Sequence, residues 1–353
     1  MKLIFKHIKS DIELENIKEK WKLLDNQTKH QNICSSYGWI FNWWSVFKNI
    51  ENNKIGFDKE LFIICAYEET KLVCICPIMK LKRKKFGFSF SFIEFIGQQW
   101  GGVYYDIIAD LKIKSIYNEI QAYLHENLKF DFIYLRYIPT SSQHYEANQL
   151  FPFAQCPEIR ISDYLSFDDY LKFNYSKGHK QNIRTGRNRA LKNNDILEEN
   201  IDDFNEKNFE YLISLSKSKL NDDKFWLYGD KHKKEFYRRI HKVFDSNIVF
   251  ISINNTKVAY RTNIIFNNVK LCTDASYDRN APKYELGILS VNKNIEDSFK
   301  KSLTLHSLGP GLEPYKSKFT KRKSKLFFLF NKGNTAKSTI TYPFLNLMIK
   351  HKK

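Results

Sequence analysis

Asp274 stands in the middle of an alternating run, Val269–Ser276, flanked by Cys272-Thr273 and Ala275. A carboxylate in such a run is costly to bury unless it is paired or used. Two uses are open: it orients an amine or accepts its proton, or it is a buried acid paired with Arg261 on the neighbouring strand. His306, near the end of a predicted strand Leu303–Ser307, is a second candidate base and otherwise a satisfied core histidine. Gly287 opens a predicted helix, Ile288–Lys301, after the loop Tyr277-Asp278-Arg279-Asn280-Ala281-Pro282 and the short stretch Tyr284-Glu285-Leu286. Unpaired N–H groups and the partial positive charge at such a helix start form a site for the diphosphate of a nucleotide or coenzyme.

Other residues could hold a second reactant. Asp106 lies in the apolar stretch Val103–Ile108 and either binds an amine or sugar hydroxyl or caps a turn. Trp39, Trp43 and Phe47 share one helical face, which is either a hydrophobic anchor or a stacking surface. Between Asp169 and Asp195 there is no acid, while Lys180, Arg184 and Arg187 fall on adjacent turns of one predicted helix. Uncompensated cations repel, so this face is expected to meet phosphates. Lys224, Trp226 and Tyr228 sit between two predicted helices and are expected to line a cleft, and Glu313 either caps a short helix or binds a sugar hydroxyl.

These residues need a scaffold. Val258–Phe266 and Val269–Ser276 alternate and are joined by Asn267-Asn268, a hairpin signal. The helix from Gly287, the strand Leu303–Ser307 and the turn Gly309-Pro310-Gly311 follow. Upstream, helices are expected over Phe204–Leu220 and Lys233–Phe244, a strand over Ile248–Ile253, and a helix from Phe167 with Ser166 as cap. The N-terminal half reads as a separate unit: a strand at Met1–Phe5, helices at Ile12–Asp25 and Ser115–Leu128, and strands at Leu61–Tyr67, Leu72–Leu81, Phe88–Ile96 and Phe132–Tyr137. Thr140–Pro157 loses the pattern and is expected to be a linker. Leu326–Phe330 is a last strand, and the basic tail holds Phe344–Ile349, which packs on the body or meets a membrane surface.

The order hairpin, Tyr-Asp, glycine-opened helix, strand and Glu-Pro-Tyr-Lys-x-x-Phe resembles the acyl-CoA half of the GNAT N-acyltransferases. It is most similar to the bacterial polysaccharide and nucleotide-sugar acyltransferase branch, in which two such domains are fused. The Ser, Trp, Trp-Trp, Phe pattern around Trp39 and the Ser-Lys-x-x-Arg-like stretch around Lys180 and Arg184 resemble the same family, whereas the glycine-rich coenzyme loop is reduced to Tyr284–Leu289. The resemblance implies an α+β (α/β) fold of two tandem GNAT-like domains, residues 1–150 and 158–340, with a basic tail 341–353. It implies that Thr273, Ala275, Tyr277, Arg279, Tyr284, Gly287, Ile288, Leu289 and Lys316 hold acyl-CoA and that Tyr315 protonates the coenzyme sulfur. Asp106, Trp39, Lys180, Arg184, Trp226 and Glu313 would bind a dTDP-linked amino sugar, whose amino group receives an acetyl or 3-hydroxybutyryl-type group. The Fem-type aminoacyl transferases, which take an amino acid from tRNA, share the double domain and are the alternative.

Composition is consistent with that reading. At 353 residues with 42% hydrophobic and 16% aromatic content, the chain can bury two cores. Its formal charge of +18 suits polyanionic small ligands, nucleic acid or an anionic membrane surface. The basic residues are dispersed and form no familiar nucleic-acid motif, so no nucleic-acid partner is expected. The six cysteines show no paired zinc spacing and read as reduced core thiols, with no metal expected. No stretch approaches membrane-spanning length. A cytoplasmic monomer or homodimer without stable membrane insertion is expected.

Overall fold

The computed structural model describes residues 3–85, 87–217 and 227–350. The chain falls into two units, one comprising Met1–Ala154 with Lys325–Lys353 and the other Gln155–Ser324.

In the first unit, β1 (Ile4–Ile8), α1 (Asp11–Asn16), α2 (Lys18–Thr28) and α3 (Tyr37–Phe47) come first. Five strands follow: β2 (Phe57–Leu61), β3 (Ile63–Glu68), β4 (Lys71–Cys76), β5 (Ile78–Lys85) and β6 (Phe88–Phe95). Then come β7 (Ile108–Ala109), α4 (Tyr117–Asn127) and β8 (Phe132–Pro139). One sheet has the order β1-β3-β4-β7, and a second runs β2-β5-β6-β8, antiparallel except where β6 meets β8. Trp39, Trp43 and Phe47 of α3 are all buried, as an anchoring face requires.

The second unit carries the site. It holds β9 (Phe151–Arg160, entering the unit at Gln155), α5 (Phe167–Asn174), α6 (Lys177–Lys192), β10 (Leu197–Asp203), α7 (Glu206–Lys217), α8 (Lys231–Val243), β11 (Asp245–Ile253), β12 (Thr256–Phe266), β13 (Val269–Tyr277), α9 (Leu286–Lys300) and β14 (Leu305–Ser307). The sheet order is β10-β11-β12-β13-β14-β9. Ser166 caps α5 and Ser176 caps α6, each accepting a backbone N–H three residues on. The β12–β13 hairpin turns on Asn267 and Asn268, whose φ of 45° and 61° is the left-handed backbone that a tight turn of this hand demands and Asn tolerates. Leu289 and Ile295 bury one face of α9 against Ile251 and Ala259 of the sheet. This helix makes the crossover that lets β14 lie parallel to β13, over Val269–Leu271 against Leu305–Ser307.

Two boundaries differ from expectation. Phe151–Arg160, which begins inside the expected linker and runs past its end, is a strand, because its last residues pair with β14. The stretch beyond Lys325 belongs to the first unit: Leu326–Lys332 of β15 (Lys323–Lys332) pairs antiparallel with Phe132–Pro139 of β8, and the expected tail forms α10 (Ala336–Lys350). β10 also went unforeseen, since an acidic run such as Leu197–Asp203 becomes a strand only by pairing with β11.

Candidate active site

The β13–β14 pairing ends at Leu271 and Ser307, and from there a cleft of about 840 Å³ lies along β13. It is lined by Tyr260 and Arg261 of β12, Ala275, Ser276 and Tyr277 of β13, the loop from Asp278 to Glu285, the first turn of α9 and Tyr315. Neighbouring residues of a strand face opposite sides of a sheet. The cleft touches Tyr260 and Arg261, whose side chains take opposite faces of the sheet beside β13.

At one end α9 begins. Glu285 adopts φ 61°, its side chain does not cap, and the N–H groups of Ile288 and Leu289 turn back to the Glu285 carbonyl. Those of Leu286 and Gly287 have no partner among the described residues, and Gly287 lines the cleft. A close helix contact holds this corner. Gly186 of α6 packs so tightly that a Cβ there would lie 2.3 Å from the Tyr284 carbonyl oxygen. The Tyr284 ring is buried, and its hydroxyl bonds Asp195 and Asn193 just beyond α6.

On one face of β13, Arg261 is buried, with Nη1 3.0 Å from the Cys272 sulfur and its Nε without a partner. It meets the Tyr315 hydroxyl. Burial raises the Tyr315 phenol above its ordinary pKa and the Arg261 charge opposes that rise, so the phenol keeps its proton at neutral pH. On the other face, Asp274 Oδ2 accepts from Tyr260 at 2.6 Å and from Tyr228 at 3.1 Å. Burial first, and the Asp274 charge second, hold both phenols well above their usual pKa. Tyr237 donates to the Thr273 carbonyl, and the Thr273 hydroxyl meets His241, whose ring burial keeps neutral with a pKa of about 3.

A β-bulge separates these two chemistries. Asn263 pairs with Cys272 but Thr262 pairs with Asp274, so Thr273 is the extra residue. A one-residue shift reverses which face each side chain takes. The expected Asp274–Arg261 pair is thus replaced: Arg261 stands opposite Ala275 and turns to the face away from Asp274.

Of the expected coenzyme residues, Ala275, Tyr277, Arg279, Tyr284, Gly287 and Ile288 line the cleft, together with Tyr315. Thr273 and Leu289 do not: the first is tied to His241 and Thr262, the second is buried in the core. Lys316 is no phosphate ligand, because its buried ammonium donates to the carbonyls of Gly309, Pro310 and Gly311 and pairs with Glu313 at 2.7 Å. Glu313 is spent in that clamp. His306 is a core residue rather than a base: it is fully buried, bonds Ser298 at 2.7 Å, and is held well below its ordinary pKa by burial and by Lys270 and Arg261.

The expected acceptor residues are dispersed. Lys180 and Arg184 lie exposed on α6 and do not line the cleft. Arg187 pairs with Glu199. Asp106 and Trp39 are buried in the first unit, where the Asp106 carboxylate accepts from Ser142 and from the Ile107 N–H and acts as a turn staple. Trp226 lies outside the described residues. Tyr260, Tyr237, His241 and Gly186 were not singled out by sequence. Tyr260 alone had a readable signal, being two residues from Thr262 on the strand that faces Asp274.

Among the described residues, no three His, Cys, Asp or Glu side chains gather as a metal site would need. The fold is shared with solved structures of low sequence identity. FemX matches over 99% of this chain and 100% of its own with TM-score 0.61 and 8% identity. A conserved protein of unknown function from Bacteroides thetaiotaomicron matches over 94% and 100%, with TM-score 0.57 and 10% identity. L-PGS from Bacillus licheniformis matches over 95% and 97%, with TM-score 0.54 and 11% identity. The protein has a GNAT-type fold with two fused GNAT-like units, as its sequence led us to expect, and shares its fold with FemX. Residues 177–317, which contain the cleft up to Tyr315, match the family model of the acetyltransferase (GNAT) domain, which supports an acyl-transferring enzyme. No curated protein sequence matches the chain.

Proposed function

We propose that the protein is an N-acyltransferase that moves a short acyl group from acyl-CoA to the amino group of a dTDP-linked amino-dideoxy sugar used in surface polysaccharide. The observation that carries this reading is the uncapped start of α9 opening onto a cleft that runs along β13. The N–H groups of Leu286 and Gly287 hold the coenzyme diphosphate, with Arg279 beside them. The acyl arm follows β13, and the main chain of Ala275–Tyr277 faces the thioester oxygen.

The neutral amine attacks the thioester carbon, forming the C–N bond. Its proton passes through Tyr260, which lines the cleft, to Asp274, which accepts from Tyr260. Collapse of the tetrahedral intermediate breaks the C–S bond, and Tyr315 gives its proton to the leaving thiolate beside the Arg261 charge. Arg261 also favours a hydroxyacyl over a plain acyl chain, because a hydroxyl would satisfy its unpartnered Nε–H. The sugar nucleotide rests on the family resemblance, with Tyr260 lining the cleft and carrying the hydrogen bond to Asp274 toward which an amine would turn.

Calorimetry with CoA and with a dTDP-amino sugar, followed by mass spectrometry of the acylated product, tests this. Binding of neither ligand overturns it. Turnover with aminoacyl-tRNA and not with acyl-CoA would transfer the assignment to the Fem-type reaction.

A further inference from the structure

An α-helix on a protein surface normally turns one apolar stripe inward and a polar face outward. α10 is apolar on both sides. Inward, Ser338, Tyr342 and Leu345 pack on the first unit, with the Tyr342 ring stacked 5.5 Å from Phe330. Outward, Ile340, Phe344, Leu347 and Met348 are 79%, 59%, 60% and 38% exposed. Their spacing of four, three and one places them within one arc of the helix. A further exposed apolar side chain lies near the helix start: Lys337 bonds the Ser89 carbonyl and lies over the Phe90 ring, which brings the start of α10 to the β5–β6 hairpin that carries Phe88, 65% exposed.

Charge indicates what covers this face. From Lys325 to Lys353 the sequence has no Asp or Glu but carries Lys325, Lys332, Lys337, Lys350, Lys352 and Lys353. The hairpin beside it adds Lys84, and the acid near Lys337 is the buried Asp131, already bonded to Ser91 and Thr335. A second copy would bring one basic helix, itself without an acid, against another. An anionic lipid surface instead accepts Phe, Ile, Leu and Met at its acyl boundary and Lys among its headgroups. Among the described residues no helix is long and apolar enough to cross a membrane, so α10 would lie flat.

We propose that the outer face of α10, with Phe88 and the flanking lysines, docks the protein on an anionic membrane surface. The full chain is tested by flotation with vesicles of phosphatidylcholine alone and of phosphatidylcholine mixed with phosphatidylglycerol. Binding should appear with the mixed vesicles, weaken with salt, and be at least about tenfold lower on phosphatidylcholine alone. The variant Ile340→Ser/Phe344→Ser/Leu347→Ser, altered only at exposed side chains, should melt like the parent and lose at least about tenfold in binding. Phe344→Trp should shift its emission to the blue on mixed vesicles. Absence of vesicle binding, binding that survives the triple change, or a dimer in solution that the triple change dissociates would each overturn the proposal.

Discussion

Gly186→Ala places a methyl group 2.3 Å from the Tyr284 carbonyl oxygen, where comfortable contacts begin near 3.4 Å. Helix α6 and the loop must therefore separate by roughly 1 Å. The loop cannot slide freely, because the Tyr284 hydroxyl is tied to Asp195 and Asn193 on the segment following α6. Overpacking of this kind costs about 1–3 kcal/mol of stability. Since Tyr284 and Glu285 immediately precede the open N–H groups of α9, the same displacement misaims them, and a misplacement of roughly 1 Å lowers activity about 100-fold. Denaturation measures the first effect, while CoA calorimetry and kcat/KM measure the second. Gly287→Ala is the control, because its Cβ would have nothing nearer than Tyr277 Cδ1 at 4.0 Å, and it should fold normally. A Gly186→Ala protein with parental CoA affinity would refute the coenzyme corner, and one with parental stability would refute the close packing behind it.

Asp274→Asn should keep the fold and lower kcat by about 10²–10⁴ with little change in CoA affinity, since the proton route through Tyr260 loses its acceptor. Arg261→Met should erase a preference for 3-hydroxybutyryl-CoA over butyryl-CoA of about 5–100-fold, measured as a ratio of kcat/KM. Asp297→Ala strands the fully buried Lys270 ammonium, which it holds at 2.7 Å, and should cost about 3–5 kcal/mol in denaturation, most of it recovered by Lys270→Met in the same chain. Burial raises Asp106 from 3.8 to about 8, so the native state holds a proton that the unfolded chain releases. Thermal stability of the first unit should then fall as pH rises between those values, and Asp106→Asn should flatten the slope.

Local signals were enough for the hairpin and the helix beside the cleft. Asn267-Asn268 between two alternating runs marks its hairpin because few other residue pairs tolerate that backbone, and the helix after Gly287 follows from periodicity alone. Residues with two open readings mostly resolved toward packing. Trp39, Asp106 and His306 are buried among partners that sequence spacing does not reveal. Lys316 shows the same limit: a cation beside a Gly-Pro-Gly turn reads as a phosphate ligand until the turn's carbonyls are seen to point at it.

The bulge at Thr273 is the feature that no local pattern announced, and the site depends on it. With a regular two-residue hairpin, Arg261 would stand opposite Asp274 and the two charges would neutralise each other on one face. One additional residue in β13 moves Asp274 opposite Thr262 and sends its carboxylate to Tyr260 and Tyr228, leaving Arg261 beside Tyr315 and Cys272 on the other face. In the proposed reaction, the proton acceptor Asp274 and the cation-supported donor Tyr315 would then flank the strand along which the cleft runs. Acyl transfer needs that separation, because the group that takes a proton from the amine must not be discharged by the group that stabilises the departing thiolate.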